Sequence, residues 1–279
     1  MTSEPSATHG TDTAGFHERH RDANSAVVLD PTLPDDAALI DSLRSDPTVT
    51  VVDTETERLL RGRLAELRPG EAILGEEEGG PGPGSDPAGA GRLTWVLDPI
   101  DGTVNFMYGI EAYAVSVGVQ RDGVSVAGAV ADVAAGAVYS AASGGGARVV
   151  RDGAVTALQC SAAAELSMAL VGTGFAYDRD RRMRQGRVVA ELLPEVRDLR
   201  RIGSCALDLC MVAAGRLDAY FEEGVHVWDW AAAALIAAEA GAHVRTATTP
   251  DGAGFVVAAA PGLGAAFEGG LERCGVVAR

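Results

Sequence analysis

The chain has 279 residues, 47% of them hydrophobic, and a formal net charge of −16 at pH 7. This length allows one large domain or two smaller ones, and the negative charge disfavours the phosphate backbone of a nucleic acid as a partner. No run of about eighteen uncharged apolar residues occurs and the N-terminus lacks an apolar signal core, so we expect neither a membrane span nor export.

The N-terminal part of the chain divides into a polar tail and the start of a folded domain. Residues 1–24 are rich in Ser, Thr, His, Gly and charge, and we expect a disordered tail. Residues 25–279 form the predicted domain. Helical spacing of apolar residues predicts helices over Asp35–Leu43 and Asp53–Leu67, and a short buried strand follows over Ala72–Gly75.

A loop rich in Gly and Pro precedes the most informative stretch of the sequence. There, an apolar strand runs into Asp98 and Asp101, which are followed at once by Gly102 and Thr103. The proline after Asp98 disfavours the helical region for that residue, so we expect Asp98 to finish the strand. Gly102 permits a sharp turn whose amides can face an anion. A plain turn, with no binding role, explains the same residues equally well.

The remaining elements predict an antiparallel sheet followed by alternating strands and helices. Residues 113–150 resemble a β-meander, with turns at Arg121-Asp-Gly, Gly144-Gly-Gly and Arg151-Asp-Gly. The later strands are Ala169–Gly172, Asp198–Ile202, Asp218–Glu222 and Phe255–Ala260, and the later helices are Arg179–Leu193, Ser204–Ala214, Trp230–Ala240 and Gly262–Arg273. This order indicates an α+β or mixed α/β fold of layered sheets and helices.

Acidic residues stand at the ends of predicted elements at three places in the chain. Glu76 and Glu77 follow the first strand, Asp98 and Asp101 follow the second, and Asp229 immediately precedes a predicted helix, which it could simply cap. Four hard oxygen donors without a His or Cys cluster suit magnesium, and these are Glu76, Asp98, Asp101 and Asp229. Asp98 is placed to bridge two ions about 3.5–4 Å apart, the spacing of two-metal hydrolysis.

Several stretches together resemble the inositol monophosphatase family of metal-dependent, lithium-sensitive phosphatases, from about residue 35 to the C-terminus. They are Thr50-Val-Val-Asp with Glu57, Gly75-Glu-Glu, Trp95 to Phe106, Ile202 to Cys210 leading into Gly215 to Glu222, and Trp228-Asp-Trp-Ala-Ala to Gly241. The resemblance is greatest to bacterial inositol-1-monophosphatases of the extragenic-suppressor type. It implies the layered αβαβα sandwich of the inositol monophosphatase and fructose-1,6-bisphosphatase type.

The resemblance also implies ligands for two to three Mg²⁺ ions. Glu76, Asp98 and the carbonyl of Ile100 would hold the first ion. Asp98, Asp101 and Asp229 would hold the second, and a weaker third ion would depend on Glu76 and waters. The family usually has a longer first helix and a lysine-bearing loop before the helix that begins near Thr50, whereas this chain contains no lysine.

In the implied mechanism, a metal-activated water attacks the phosphorus of a phosphate monoester. Thr103 would accept the hydrogen bond of that water while Asp53 orients the threonine hydroxyl, and Glu76 belongs to the same catalytic set. The amides of Gly102 and Thr103 would receive phosphate oxygens. Without the resemblance, Thr103 reads as a helix N-cap and Asp53 as the first-turn acid of its helix.

The alcohol side of the substrate is assigned by the same resemblance. Glu222 would bind inositol hydroxyls, with Asp101 and the backbone of Cys205 as further contacts, because a carboxylate accepts two hydroxyl bonds well. Without the resemblance, Glu222 reads as a solvated acid at a strand end. His226 also has a family counterpart, but a structural role is the preferred interpretation.

The resemblance implies a homodimeric phosphatase that acts on a small phosphorylated polyol, myo-inositol monophosphate, and we expect it to be cytoplasmic, without a nucleic-acid or membrane partner. One alternative keeps the chemistry and changes the substrate to histidinol phosphate, fructose 1,6-bisphosphate or 3′-phosphoadenosine 5′-phosphate. Another alternative is a mainly regulatory interaction protein. The cysteines form no C-x-x-C pair and are expected to be free thiols: Cys160, Cys205, Cys210 and Cys274.

Overall fold

A computed structural model describes residues 51–81, 91–248 and 254–276, which all belong to the compact unit Val51–Arg279. The predicted tail over residues 1–24 and the predicted helix Asp35–Leu43 lie outside the described residues. Within the described ranges, none of the helices combines the length and apolar character that crossing a bilayer requires. The four cysteines are all free, as predicted.

The first sheet has seven strands, which are neighbours in the same order as in the chain. Its first two strands are parallel and every later pair is antiparallel, which confirms the predicted meander. The strands are β1 (Ala72–Gly75), β2 (Leu93–Asp101), β3 (Ala114–Arg121), β4 (Val124–Asp132), β5 (Ala137–Ala142), β6 (Ala147–Arg151) and β7 (Ala154–Ala157). Helix α1 (Val51–Leu67) precedes β1, and the short helix α2 (Thr103–Met107) follows β2.

Two hairpins of this sheet turn at Asp-Gly pairs, as the sequence predicts. The φ angles are 52° at Asp122 and 81° at Gly123, and 50° at Asp152 and 75° at Gly153. Positive φ at both central residues is the type I′ conformation, whose twist matches that of the flanking strands. The strand pairs β3–β4 and β6–β7 therefore close through two-residue loops.

The second sheet has five strands, which are β8 (Leu170–Thr173), β9 (Asp198–Arg200), β10 (Ala219–Val225), β11 (His243–Thr248) and β12 (Gly254–Ala259). Their order in the sheet is β11-β12-β10-β8-β9. Strand β8 is parallel to β9 and β10, whereas β12 is antiparallel to β10 and β11. The helices are α3 (Arg179–Leu192), α4 (Cys205–Ala213), α5 (Val227–Glu239) and α6 (Gly264–Arg273), with single 3₁₀ turns over Leu166–Met168 and Leu193–Glu195.

Helices α4 and α5 lie between the two sheets and form the larger core with them. Val130 and Tyr139 of the first sheet, Tyr220 and Val256 of the second, and the buried faces of both helices belong to one apolar cluster. Helix α5 packs very closely on β3 and β4. A Cβ added to Gly128 would lie 2.7 Å from the Cα of Ala232. The alanine-rich sequence of α5 and the glycines beneath it are therefore matched in size.

A second core lies on the other face of the second sheet. Val188 and Leu192 of α3 and Phe267 and Leu271 of α6 pack there against Phe221 of β10 and its neighbours. Helix α1 contacts β2 of the first sheet. The layers are therefore α1, the first sheet, α4 with α5, the second sheet, and α3 with α6, which confirms the expected αβαβα arrangement.

Strand β11 has no counterpart among the predicted strands. Strand β11 carries His243, Arg245, Thr246 and Thr248, so its apolar alternation is weak. It lies at the edge of the second sheet among the described strands, a position where polar and charged side chains are tolerated. The edge position, which depends on the whole topology, explains why these residues form a strand.

Candidate active site

The acidic stretch of β2 lies at an irregularity in the sheet. The β2–β3 register shifts between Asp98 and Asp101, where the proline at position 99 supplies no N–H to the ladder. Residues three apart in a regular strand point to opposite faces, so the irregularity allows both carboxyl groups to serve one site. Both residues are buried. The strand continues to Asp101, so the prediction that it ends at Asp98 is wrong by three residues.

Gly102 makes the turn that follows. Its φ of 100° and ψ of 34° are left-handed, and a Cβ here would lie 2.9 Å from the carbonyl oxygen of Ala112 and 3.2 Å from that of Gly203. Glycine therefore fits both the conformation and the space. Gly102 is the N-cap of α2 and Thr103 is the first helical residue, so the alternative of Thr103 as the N-cap is wrong.

Asp229 reaches the same place from the first turn of α5. That helix begins at Val227, three residues earlier than predicted, and His226 is its N-cap. The Asp229 carboxylate accepts a 2.5 Å hydrogen bond from the backbone N–H of His226, so Asp229 is not itself the N-cap. One carboxylate oxygen from each of Asp98, Asp101 and Asp229 lies within 4.8 Å of the others. The structure thus brings together three of the four predicted carboxylate ligands.

Asp101 is also joined to the start of α4. It accepts hydrogen bonds from the Ser204 hydroxyl at 2.7 Å and from the backbone N–H groups of Ala206 at 2.6 Å and Cys205 at 3.3 Å. Burial raises the pKa of Asp101 to about 6, and these hydrogen bonds and the charge of Arg201 oppose the rise. The amide of Cys205, a predicted substrate contact, therefore faces the site but already binds Asp101.

Glu76 lies beside this cluster, at the turn after β1. Its backbone N–H donates to the carbonyl of Leu97 at 3.2 Å, and its side chain shares a hydrogen bond with Asp98. Burial, then the charges of Glu77, Asp53 and Asp101, raise the pKa of Glu76 to about 8. Glu76 is thus adjacent to the group of three carboxylates but outside it.

The chemistry of this donor set fits a divalent cation. Burial, followed by the charges of Glu76, Asp101 and Asp229, raises the pKa of Asp98 well above its usual value. In the described part of the chain, the buried Oδ1 of Asp98 has no hydrogen-bond partner, which is costly for a polar atom. Crowded carboxylates with an unsatisfied buried oxygen are stabilised by a hard cation, which prefers oxygen ligands.

The predicted pair of Thr103 and Asp53 meets next to this cluster. The Thr103 hydroxyl lies 3.3 Å from Oδ1 of Asp53 and 3.0 Å from the carbonyl oxygen of Ile100. Asp53 is buried in the first turn of α1. Since a hydroxyl has one proton, Thr103 can donate to only one of these acceptors at a time.

Glu57 anchors α1 against the turn that carries Glu76. Its fully buried carboxylate accepts hydrogen bonds from the backbone N–H groups of Glu77 at 2.8 Å and Glu78 at 3.1 Å, and from Arg61 at 2.7 Å. A Cβ at Gly75 would lie 2.1 Å from this carboxylate. Glycine at position 75 thus lets α1 approach the turn, which places Asp53 and Glu76 near each other.

Glu222 approaches the site from β10. The hydroxyl of the buried Tyr220 donates to its carboxylate. A Cβ at Gly174 would lie 1.9 Å from the same carboxylate. Burial raises the pKa of Glu222 to about 7, the hydrogen bond from Tyr220 lowers it, and the charge of Asp101 raises it further. Glu222 is therefore held by Tyr220 on the side of the site near Asp101 and is not a freely solvated acid.

Sequence reasoning missed the role of Asn105 in assembling the site. This buried side chain donates to the carbonyl oxygens of Ala112 at 2.8 Å and Ile202 at 2.9 Å. It therefore ties the Gly102 turn to the segment that leads into α4. The sequence offered one indication of this role, which is the position of Asn105 in the same stretch as Asp98 and Asp101. The predicted structural role of His226 agrees with its capping position and with its ring, which stacks on Trp228 at a centroid distance of 4.7 Å.

Comparison with known proteins identifies the class to which this fold and site belong. The model of the inositol monophosphatase family matches residues 25–273. An inositol-1-monophosphatase of Mycobacterium leprae is 64% identical over 82% of this chain and 80% of its own length. A Pasteurella multocida protein named Nus factor SuhB is 35% identical over 81% of this chain and 83% of its own.

The structural comparison gives the same result. Mycobacterium tuberculosis SuhB superposes with a TM-score of 0.73 and 58% identity, covering 85% of this chain and 91% of the other. The chain belongs to the inositol monophosphatase family. It is therefore a phosphatase of a metal-dependent family whose members act on phosphorylated substrates.

Proposed function

We propose that this chain hydrolyses myo-inositol monophosphate to inositol and phosphate in the presence of Mg²⁺. The observation that carries the proposal is the convergence of Asp98, Asp101 and Asp229 within 4.8 Å of one another, beside the Thr103–Asp53 pair. The name of the Mycobacterium leprae relative supports the choice of substrate.

The metal ligands are assigned as follows in this proposal. Asp98, Glu76 and the Ile100 carbonyl would hold one ion, and Asp98, Asp101 and Asp229 would hold a second. A third ion would depend on Glu76. Bound Mg²⁺ would neutralise the phosphate dianion and make a water acidic enough to attack near neutral pH. The unpartnered Oδ1 of Asp98 supports its shared position.

Thr103 and Asp53 orient the attacking water in this proposal. The water donates a hydrogen bond to Thr103 Oγ1, and the threonine proton then points to Asp53. The 3.3 Å contact between Thr103 and Asp53 supports this role. The competing acceptor, the carbonyl of Ile100, is one of the proposed metal ligands, and holding a cation there would favour Asp53 as the acceptor of the threonine proton.

The substrate is held at both ends. We assign the phosphate to the amides of Gly102 and Thr103, because the left-handed turn places backbone N–H groups at the start of α2. The alcohol is assigned to Glu222, Asp101 and the backbone of Cys205. The rigid support of Glu222 by Tyr220 favours recognition of hydroxyl groups, since a fixed carboxylate accepts two such bonds.

Two other functions are alternatives to this proposal. The same chemistry could act on histidinol phosphate, fructose 1,6-bisphosphate or 3′-phosphoadenosine 5′-phosphate, since small changes in a pocket alter specificity. A mainly regulatory role is favoured by the name of the Pasteurella multocida relative. The complete acid set of this chain argues against a purely non-catalytic protein. We also propose a cytoplasmic homodimer that lithium inhibits.

Phosphate release from a substrate panel tests the proposal. The panel contains inositol 1-phosphate and the three alternative phosphates, assayed with Mg²⁺ and again with lithium added. We expect the highest kcat/KM for inositol 1-phosphate and loss of activity with lithium. If another member of the panel has a higher kcat/KM, that compound replaces inositol 1-phosphate as the proposed substrate. If no phosphate is released from any of them, the result supports the regulatory alternative.

A further inference from the structure

Arg201 is an exposed cation at the edge of the proposed active site. A Cβ added to Gly203 would lie 2.3 Å from its Nη1 and 2.8 Å from Nδ2 of Asn105. The guanidinium therefore covers the Gly203 turn, whose carbonyl oxygen in turn borders Gly102. This arrangement fixes the position of Arg201 beside the turn assigned to the phosphate.

The charge of Arg201 acts on the acids of the alcohol side. Burial is the largest influence on the pKa of Asp101 and of Glu222 and raises both, while the positive charge of Arg201 lowers both. Arg201 likewise lowers the pKa of Tyr177, which burial raises. Asp101, Glu222 and Tyr177 are therefore all within electrostatic reach of one guanidinium.

Tyr177 is held at the same edge by its neighbours in the chain. The buried Gln185 accepts from the backbone N–H of Ala176 at 2.9 Å and donates to the carbonyl of Glu223 at 3.0 Å. Asp178 caps α3. The backbone on both sides of Tyr177 is thus held next to Glu223 of β10, which follows Glu222 in the strand, while Tyr177 itself is 58% exposed.

Donors and acceptors alternate around this space. Ionised Glu222 and Asp101 only accept hydrogen bonds, a guanidinium only donates them, and an alcohol hydroxyl does both. Adjacent hydroxyls on a ring can therefore donate to the carboxylates while accepting from Arg201, and the planar ring of Tyr177 offers a face for the ring carbons. An alcohol without adjacent hydroxyls would leave some of these groups without partners.

We propose that Arg201 and Tyr177 complete the alcohol side of the site and make it selective for a cyclic alcohol with adjacent hydroxyl groups. This inference rests on the proposed phosphatase function. Neither residue touches the phosphorus or the attacking water, so both are specificity-determining residues of the pocket.

The test compares inositol 1-phosphate with the acyclic glycerol 2-phosphate, with Mg²⁺ present, in wild type, Arg201→Gln, Arg201→Ala and Tyr177→Ala. The matched control is Arg200→Gln, because Arg200 is a neighbouring exposed arginine paired with Asp198 at 2.6 Å. Inhibition by inorganic phosphate is measured for every variant and reports on the phosphate side alone.

We expect the Arg201 variants to lower kcat/KM for inositol 1-phosphate by about tenfold or more, the scale of a hydrogen bond to a charged group, mainly through KM. In the Arg201 variants, kcat/KM for glycerol 2-phosphate and the inhibition constant of phosphate should change less than about threefold, because an exposed charge contributes little beyond the groups that it contacts. Arg200→Gln should match wild type in every measurement. Tyr177→Ala should also lower the ratio of kcat/KM for inositol 1-phosphate to kcat/KM for glycerol 2-phosphate.

Equal losses on both substrates with weaker phosphate inhibition would place Arg201 on the phosphate and overturn the inference, as would an unchanged substrate ratio. If wild type hydrolyses neither compound, the proposed function itself fails. Hydrolysis of both by wild type, with no response to the variants, overturns only the specificity inference. Because Arg201 and Tyr177 are exposed, thermal unfolding of each variant should match wild type.

Discussion

At the scale of single residues, the site depends on where a few protons reside. Thr103 lies between Asp53 and the Ile100 carbonyl and can donate to either. Glu222 shares its environment with Tyr220 and Asp101. Each of these residues makes a contact that a conservative substitution can remove without opening a large cavity, so each supports a sharp test.

Removing the Thr103 hydroxyl should slow the reaction without weakening metal binding. We expect Thr103→Ala to lower kcat by roughly 10²-fold or more, the scale of a positioned proton-transfer group, with Mg²⁺ affinity close to wild type by calorimetry. Thr103→Ser keeps the hydroxyl and is the control. Wild-type turnover in Thr103→Ala would remove this residue from the chemistry.

Glu222 should make the stability of the metal-free protein depend on pH. Burial raises its pKa from 4.5 to about 7, so the folded chain retains a proton that the unfolded chain has lost. Rising pH therefore favours unfolding between these values. Relative to Glu222→Gln, wild type should lose stability as pH rises from about 4.5 to 7, measured by denaturant midpoints.

The neighbouring Glu223→Gln variant provides the control for Glu222→Gln, because it makes the same change in net charge. A stability difference between wild type and Glu222→Gln that stays constant over this pH range would show that Glu222 titrates normally.

The acids of the site were predictable from sequence because each lies within about three residues of the end of a strand or the start of a helix. The way in which these acids group in space was not predictable from the sequence. Asp98, Asp101 and Asp229 converge, while Glu76 lies to one side and binds Asp98. That partition depends on the register shift in β2 and on the exact start of α5, which follow from packing and not from local pattern.

At the scale of elements, the site is assembled by close backbone approaches. Helix α5 carries Asp229 and packs against β3 and β4, where Gly118 and Gly128 leave room for Ala231 and Ala232. The alanine-rich pattern predicted a buried helix. The strand glycines beneath it gave no local signal, since their role appears only when the sheet and the helix are packed together.

Filling this contact should destabilise the fold. A Cβ at Gly128 would lie 2.7 Å from Cα and 2.9 Å from Cβ of Ala232, and we expect Gly128→Ala to cost about 1–3 kcal/mol of unfolding free energy. Gly62 of α1 has open space around it, so Gly62→Ala should stabilise by about 0.5–1 kcal/mol. Denaturant unfolding measures both, and equal effects of the two substitutions would contradict the packing argument.

At the scale of the whole molecule, elements from both sheets meet at one acidic centre. Strand β2 brings Asp98 and Asp101, helix α5 brings Asp229, helix α1 brings Asp53, and β10 brings Glu222. Crowding this many acids in a chain of net charge −16 costs stability unless cations bind. The carboxylates of this centre repel one another when no cation is bound, and the fold tolerates this repulsion, as a metal-dependent function requires.

The most direct test of the central claim is phosphate release from inositol 1-phosphate by wild type and Asp98→Asn, each with Mg²⁺ and after chelation. We expect release only from wild type with Mg²⁺, because Asp98 is the carboxylate proposed to be shared between two ions. Asp98→Asn should bind Mg²⁺ weakly and still unfold cooperatively. Wild-type turnover in Asp98→Asn, or an undiminished rate after chelation, would contradict the proposed metal centre.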